Sequence, residues 1–228
     1  MAISFIDLNN QSSRRVFGLI AGKPGIGKTS QMLTFPKEEV LAISLENGFL
    51  SVAGSGIRAL KAESYDDMMT ILKDAKYIPK GTKTIFIDSL SELYDLIRIE
   101  AKELFEPKQN FSKHEEVKMK LSTIIRLARN LDAYDVFFIC HTKEEKNGIA
   151  LEQELAFDGK LPEEVKRQFD IIVHMEPSSN PELGDRCLIT DAAVSKVAKA
   201  RVSPYFKADV KPVEKANLYQ LTKKLKGA

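Results

Sequence analysis

Between residues 22 and 29 the chain reads Gly22-Lys23-Pro24-Gly25-Ile26-Gly27-Lys28-Thr29, a complete G-x-x-x-x-G-K-[ST] spacing. Glycines at these places let backbone N–H groups turn inward around a phosphate. The lysine reaches the outer phosphates, and the hydroxyl after it can ligate Mg²⁺. Gly22, Pro24, Gly25, Ile26, Gly27, Lys28, Thr29 and Ser30 are therefore the candidate nucleotide-binding residues. Hydrolysis also needs a second Mg²⁺ anchor, a group that orients water, and positive charge for the transition state. Asp88 closes the apolar run Thr84-Ile85-Phe86-Ile87 and joins Thr29 as a candidate metal ligand, a Walker B carboxylate. Ser89 follows it instead of a second acid, so the base must come from elsewhere. Glu46, after the run Val40 to Leu45, is the candidate base. His141 closes Val136-Phe137-Phe138-Ile139-Cys140, where an imidazole could contact γ-phosphate and report nucleotide state.

Strands and helices must carry these groups to one place. Val16 to Ile20 reads as a buried strand entering the loop, and Ser30 to Phe35 as the helix whose N-terminus faces the phosphates. Val40 to Leu45 reads as a second strand, beside the first. Ser64 to Lys76 places Met68, Met69, Ile71, Leu72 and Ala75 on one helical face. Ser91 to Phe105 and Glu115 to Leu131 read as helices, with Pro107, Gln109 and Asn110 between them. From Thr142 to Lys160 the pattern breaks around Asn147-Gly148, which predicts a hairpin projecting from the sheet edge. Pro162 opens a short helix; Ile171 to Met175 and Arg186 to Thr190 read as strands; the end from Ser203 is irregular with a weak final helix. Strands alternating with crossover helices predict an α/β fold with a mostly parallel sheet, which gathers ligand-binding groups at the strands' carboxyl ends.

Composition bounds the rest. A length of 228 residues suits one α/β domain, and 43% hydrophobic with 29% charged residues describes a globular chain. No apolar run approaches the roughly twenty residues of a membrane span, Met1 to Arg15 does not read as a secretory signal, and Cys140 and Cys187 make no disulfide framework, so a reducing cytoplasm is the expected location. Three histidines and no Cys/His cluster argue against a zinc site; His114 and His174 read as structural or exposed, and Cys140 as a core residue. Residues 196–228 hold nine Lys/Arg against two Asp/Glu, within a chain whose net charge is only +2. That basic end reads equally as a polyanion contact or as solvated surface.

Gly22 to Thr29, Ser44-Leu45-Glu46, Ile85-Phe86-Ile87-Asp88-Ser89 and Phe138-Ile139-Cys140-His141 together resemble the RecA-like core of P-loop ATPases. The run from Gly22 to Ser30, Leu45-Glu46-Asn47-Gly48, Ile87-Asp88-Ser89-Leu90 and the strand-end His141 look more closely like the phage-encoded RecA-like proteins of the Sak single-strand-annealing type, over about residues 14 to 207. The resemblance implies a RecA-like P-loop NTPase fold with a core at 14–207, between an N-terminal segment at 1–13 and a basic C-terminal tail at 208–228. It implies ATP and Mg²⁺ as cofactors, Glu46 as the water-activating glutamate, Asp88 as the Walker B acid and His141 as the nucleotide sensor. Lys199-Ala200-Arg201 matches the K-x-R pair that crosses a subunit interface in RecA relatives, which adds Lys199 and Arg201 to the catalytic candidates beside Lys28, Glu46 and His141 and implies a ring or filament with composite ATP sites. Taken locally, the same two residues are part of the basic end.

The implied activity is a Mg²⁺-dependent ATPase acting on single-stranded DNA in phage recombination, annealing or replication, in the host cytoplasm. One feature departs from the pattern: residues 141–170, where such proteins bind DNA, hold five Lys/Arg against eight Asp/Glu. Phosphate neutralisation dominates nucleic-acid affinity, so the contact falls to the basic C-terminal region or to a partner such as a single-strand-binding protein. Phe157 and Phe169 could stack bases or fill the core. Two other classes share the loop. A nucleotide-dependent adaptor or helicase loader is one; the other, a small-molecule kinase, is disfavoured because 142–160 is lid-sized but holds no arginine.

Overall fold

The computed structural model describes residues 15–46, 49–106, 109–147, 150–201 and 209–227. The strands are β1 (Phe17–Gly22), β2 (Val40–Ser44), β3 (Arg58–Lys61), β4 (Thr84–Asp88), β5 (Asp135–Asn147), β6 (Ala150–Leu155), β7 (Ile171–Pro177), β8 (Arg186–Ile189), β9 (Lys199–Ala200) and β10 (Val213–Lys215). The α-helices are α1 (Tyr65–Lys73), α2 (Leu90–Leu104), α3 (Asn110–Arg129), α4 (Leu161–Arg167) and α5 (Leu218–Lys226). The sheet runs β10-β8-β7-β1-β5-β4-β2-β3, with β6 added to β5 and β9 to β7. Every pairing from β3 to β7 along that row is parallel, and β8 and β10 close one side antiparallel.

Why these runs become central strands follows from their residues. β1, β2 and β4 are buried along their whole length, as expected of parallel strands covered on both faces. Side chains alternate between two cores. Phe17, Leu19, Ile85, Ile87, Val136 and Phe138 face α1, α2 and α3; Ile20, Val40, Ala42, Phe86, Phe137 and Ile139 face Met32, Phe35 and α5. Ser64 caps α1 by accepting from the Asp67 N–H, and Ser89 caps α2 by accepting from the Glu92 N–H.

The expected α/β architecture is present, with several differences in detail. The helix after the phosphate loop is a 3-10 helix, Thr29–Thr34; Phe35 is extended because Pro36 follows it. β2 is not beside β1, since β5 and β4 lie between them. The hairpin continues β5 from the middle of the sheet rather than from its edge, with Thr142 opposite Leu155. Helix α3 begins at Asn110, earlier than its periodicity marks, and β3, β9 and β10 are short strands that carry no sequence signal of their own.

The basic C-terminal stretch is not a free tail. β10 pairs with β8, Leu218 and Leu221 are buried, and the Leu218 N–H donates to Gln31 Oε1 at 3.0 Å. Lys224 and Lys226 are paired with Glu214 and Asp135 at 2.8 and 2.6 Å. An i, i+3 apolar spacing over Leu218 and Leu221 is what turns a lysine-rich segment into a packed helix. Phe157 and Phe169 are fully buried, Phe169 stacked on Phe17 with centroids 5.1 Å apart, so both fill the core and neither stacks a base. No helix among the described residues is long and apolar enough to cross a membrane. Residues 1–13, Asn47-Gly48, Pro107, Gly148 and 203–207 lie outside the described residues.

Candidate active site

β1 delivers the phosphate loop to the carboxyl rim of the sheet, and the loop's glycines are required there. Gly25 and Gly27 have φ of +75° and +99°, open to glycine without strain. A Cβ on Gly22 would stand 2.8 Å from the Met175 carbonyl oxygen, so β1 and β7 can approach only with glycine here. The cradle is thus built from backbone. Lys23, Pro24 and Gly25 are exposed, Ile26, Gly27, Thr29 and Ser30 are half-buried, and Lys28 is buried.

Lys28 Nζ donates to the carbonyls of Gly22 and Lys23, both at 2.9 Å, and to Nδ1 of His141 at 3.1 Å. An ammonium has only donors, so Nδ1 is the acceptor and the neutral ring carries its proton on Nε2. That nitrogen lies 3.5 Å from Glu46 Oε1. The same oxygen accepts from Ser89 Oγ at 2.5 Å. Ser91 Oγ accepts from the His141 N–H at 2.8 Å and holds β5 in place where its parallel pairing with β1 ends; His141 lies within β5 rather than closing it, because the strand runs on into the hairpin. Although β2 is three strands from β1, a spacing of roughly 14 Å at about 4.8 Å per strand, Glu46 joins the loop through Ser89 and His141. His141, 3.5 Å away, is the largest influence holding the Glu46 carboxyl below its ordinary range; burial opposes it, and Ser89 and Lys28 assist. Burial lowers Lys28, against the attraction of Asp88 and Glu46.

Thr29 Oγ1 donates to Asp88 Oδ2 at 2.8 Å, and burial raises the Asp88 carboxyl. Two oxygens this far apart are the separation of neighbouring corners in an octahedral Mg²⁺ shell with bonds of about 2.1 Å, so the pair fits the ion. Among the described residues no group of three or more His, Cys, Asp or Glu could hold a metal by itself. Mg²⁺ is a cation that protein sites usually hold with one or two side chains plus substrate phosphates. A cleft of about 320 Å³ is lined by Leu45, Glu46, Ser91, Glu92, Asp95 and His141. Burial, then Glu46 and Asp95, raises the Glu92 carboxyl. Cys140 is buried, its thiol pushed up to about 12, which makes it a packing residue.

Lys199 and Arg201 are elsewhere. β9 pairs with the start of β7, Lys199 opposite Ile172, while the loop leaves the far end of β1. Lys199 Nζ donates to the Lys166 and Phe169 carbonyls at 2.8 and 2.7 Å, and Arg201 lies 3.7 Å from Asp170. Within one chain they do not meet the phosphate loop. His174 is buried, its Nδ1 2.8 Å from Ser195 Oγ, in a structural position. Sequence reasoning missed Ser89 and Ser91, which hold Glu46 and the His141 backbone; their signal was a Ser-x-Ser following Asp88.

Lys28, Thr29, Asp88, Glu46 and His141 converge on one rim above a mostly parallel sheet, which is the arrangement of a P-loop nucleotide-hydrolysing protein. The family model of the AAA domain matches residues 14–202, and the chain belongs to that family as an AAA-like P-loop ATPase. No curated protein matches the chain.

Proposed function

We propose that the chain is a Mg²⁺-dependent ATPase of the phage single-strand-annealing, RecA-like type, whose nucleotide state controls its assembly on single-stranded DNA in recombination, annealing or replication. The observation that carries the hydrolytic reading is the connection Lys28–His141–Glu46, which ties the phosphate-binding lysine to the proposed base through one imidazole. Glu46, held ionised by His141 and Ser89, accepts a proton from water. His141 leaves one of its two partners when Lys28 turns to a phosphate, and so couples nucleotide state to the hairpin that begins at Thr142. Bound Mg²⁺, held by Thr29 and Asp88, would neutralise phosphate charge.

The DNA reading rests on the motif resemblance. The hairpin carries Glu144, Glu145, Glu152 and Glu154, so phosphate contact falls to exposed lysines such as Lys211 and Lys215 or to a single-strand-binding protein. Lys199 and Arg201, remote from their own loop, act on a neighbour's site in a homo-oligomer. A nucleotide-dependent adaptor or helicase loader is the second reading, favoured by Leu104 and Phe111, 66% and 79% exposed on either side of the α2–α3 connection.

ATP turnover with and without single-stranded DNA, at two salt concentrations and beside Glu46→Gln, tests the proposal. Stimulation that fades with salt is expected. Glu46-dependent turnover indifferent to DNA favours the adaptor, and turnover indifferent to Glu46 overturns the hydrolytic assignment.

A further inference from the structure

We infer that Arg186 is a phosphate-contacting residue supplied within the same chain, and that it sets nucleotide affinity rather than turnover. The inference rests on the nucleotide-binding reading above and adds a residue that no motif marks. Arg186 opens β8, opposite Pro177 of β7, and its guanidinium lies against Gly27, the residue before Lys28. A Cβ on Gly27 would collide with Nη1 and stand 3.2 Å from Cζ. Gly27, at φ of +99°, leaves the space that the guanidinium uses.

Two further facts separate Arg186 from an ordinary surface arginine. It is exposed, and none of the ion pairs among the described residues includes it, although Lys23 on the same loop is paired with Glu144 at 2.7 Å. An uncompensated guanidinium on a phosphate cradle has one natural counter-ion, since its planar fork of donors matches phosphate oxygens. The side of approach assigns its role. β8 reaches the loop over β7, whereas Glu46, Ser89 and His141 reach it over β2, β4 and β5 on the other flank of β1. Arg186 therefore contacts the phosphates away from the water-activating group. A contact made equally in ground state and transition state changes binding and leaves kcat in place.

The test is direct titration of the full chain with fluorescent ATP and ADP analogues, for wild type, Arg186→Ala, Arg186→Lys and Lys28→Ala, with kcat measured in parallel. Loss of one exposed charge-assisted contact is expected to weaken both nucleotides about tenfold in Arg186→Ala, with partial recovery in Arg186→Lys and kcat within about twofold. Unchanged affinity in Arg186→Ala, while Lys28→Ala loses binding, overturns this inference and leaves the nucleotide-binding reading intact. A fall in kcat at unchanged affinity also overturns it, by placing Arg186 on the reacting phosphate. Failure of the wild type to bind either analogue overturns both readings at once. Thermal unfolding of each variant separates a lost contact from a lost fold.

Discussion

Thr29 and Asp88, 59 residues apart, meet at 2.8 Å across the end of β5, which separates their strands. The hydroxyl satisfies a carboxylate that burial otherwise disfavours. The two oxygens that would share a Mg²⁺ ion are thus held together by the fold itself.

Replacing that carboxylate by its neutral isostere separates function from stability. Burial raises the Asp88 carboxyl, so folding favours the neutral form, and its ionised form costs stability increasingly as pH rises through the folded pKa. Asp88→Asn is expected to raise the Tm at pH 7 by about 2–4 °C, with the gain shrinking toward acid pH, where wild-type Asp88 is itself neutral. In the same variant affinity for ATP with Mg²⁺ falls about tenfold or more, while affinity in EDTA changes little. Calorimetric scans and nucleotide titrations with and without the metal check both halves.

Glu46→Gln keeps the side chain's size and its place beside Ser89 but cannot take a proton. Turnover is expected to drop by roughly 10²–10⁴-fold with ATP binding retained. Steady-state hydrolysis alongside equilibrium binding measures the split, and a variant that hydrolyses at the wild-type rate removes Glu46 from the reaction.

His141 tunes the carboxyl proposed as that base. The histidine beside it is the main cause of the lowered Glu46 carboxyl, so wild-type activity is expected to persist at a pH where an ordinary glutamate begins to protonate. In His141→Ala the largest lowering influence is lost, burial remains, and the acid limb of the kcat profile moves to higher pH. Ser89→Ala moves it in the same direction by less, Ser89 being the weaker of the two donors in effect. A pH–rate series across the three proteins decides; an acid limb that stays put in His141→Ala disproves the coupling.

Lys199 and Arg201 are expected to serve a neighbour. Arg201→Ala and Lys28→Ala should each be inactive alone, and an equimolar mixture should recover about one quarter of wild-type turnover, the fraction of interfaces that pair an intact loop with an intact cation in a randomly mixed assembly. Arg201 suits the test because its contacts are weak, 3.7 Å to Asp170, whereas Lys199 caps two carbonyls and its loss also destabilises α4. No recovery in confirmed mixed oligomers counts against action in trans.

The local chemistry of this chain was legible in the sequence because it is encoded in contiguous residues. The loop from Gly22 to Thr29 needs only its own glycines to cradle a phosphate, and the apolar runs ending in Asp88 and His141 are strands whatever surrounds them. What the sequence could not show was the order of those strands. Sequence adjacency placed Glu46 next to the phosphate-loop strand, but crossover helices set β5 and β4 between, and Glu46 reaches the loop only through Ser89 and His141. The lysine-rich C-terminus read as a tail because its helix is amphipathic only against a surface that exists once β8 and the 3-10 helix have formed. Arg186 was invisible for the same reason. The pairing of β7 with β8 brings it over Gly27, about 160 residues away in the chain. Residue type and spacing determined which chemistry is available; only packing of the sheet decided which groups share the site.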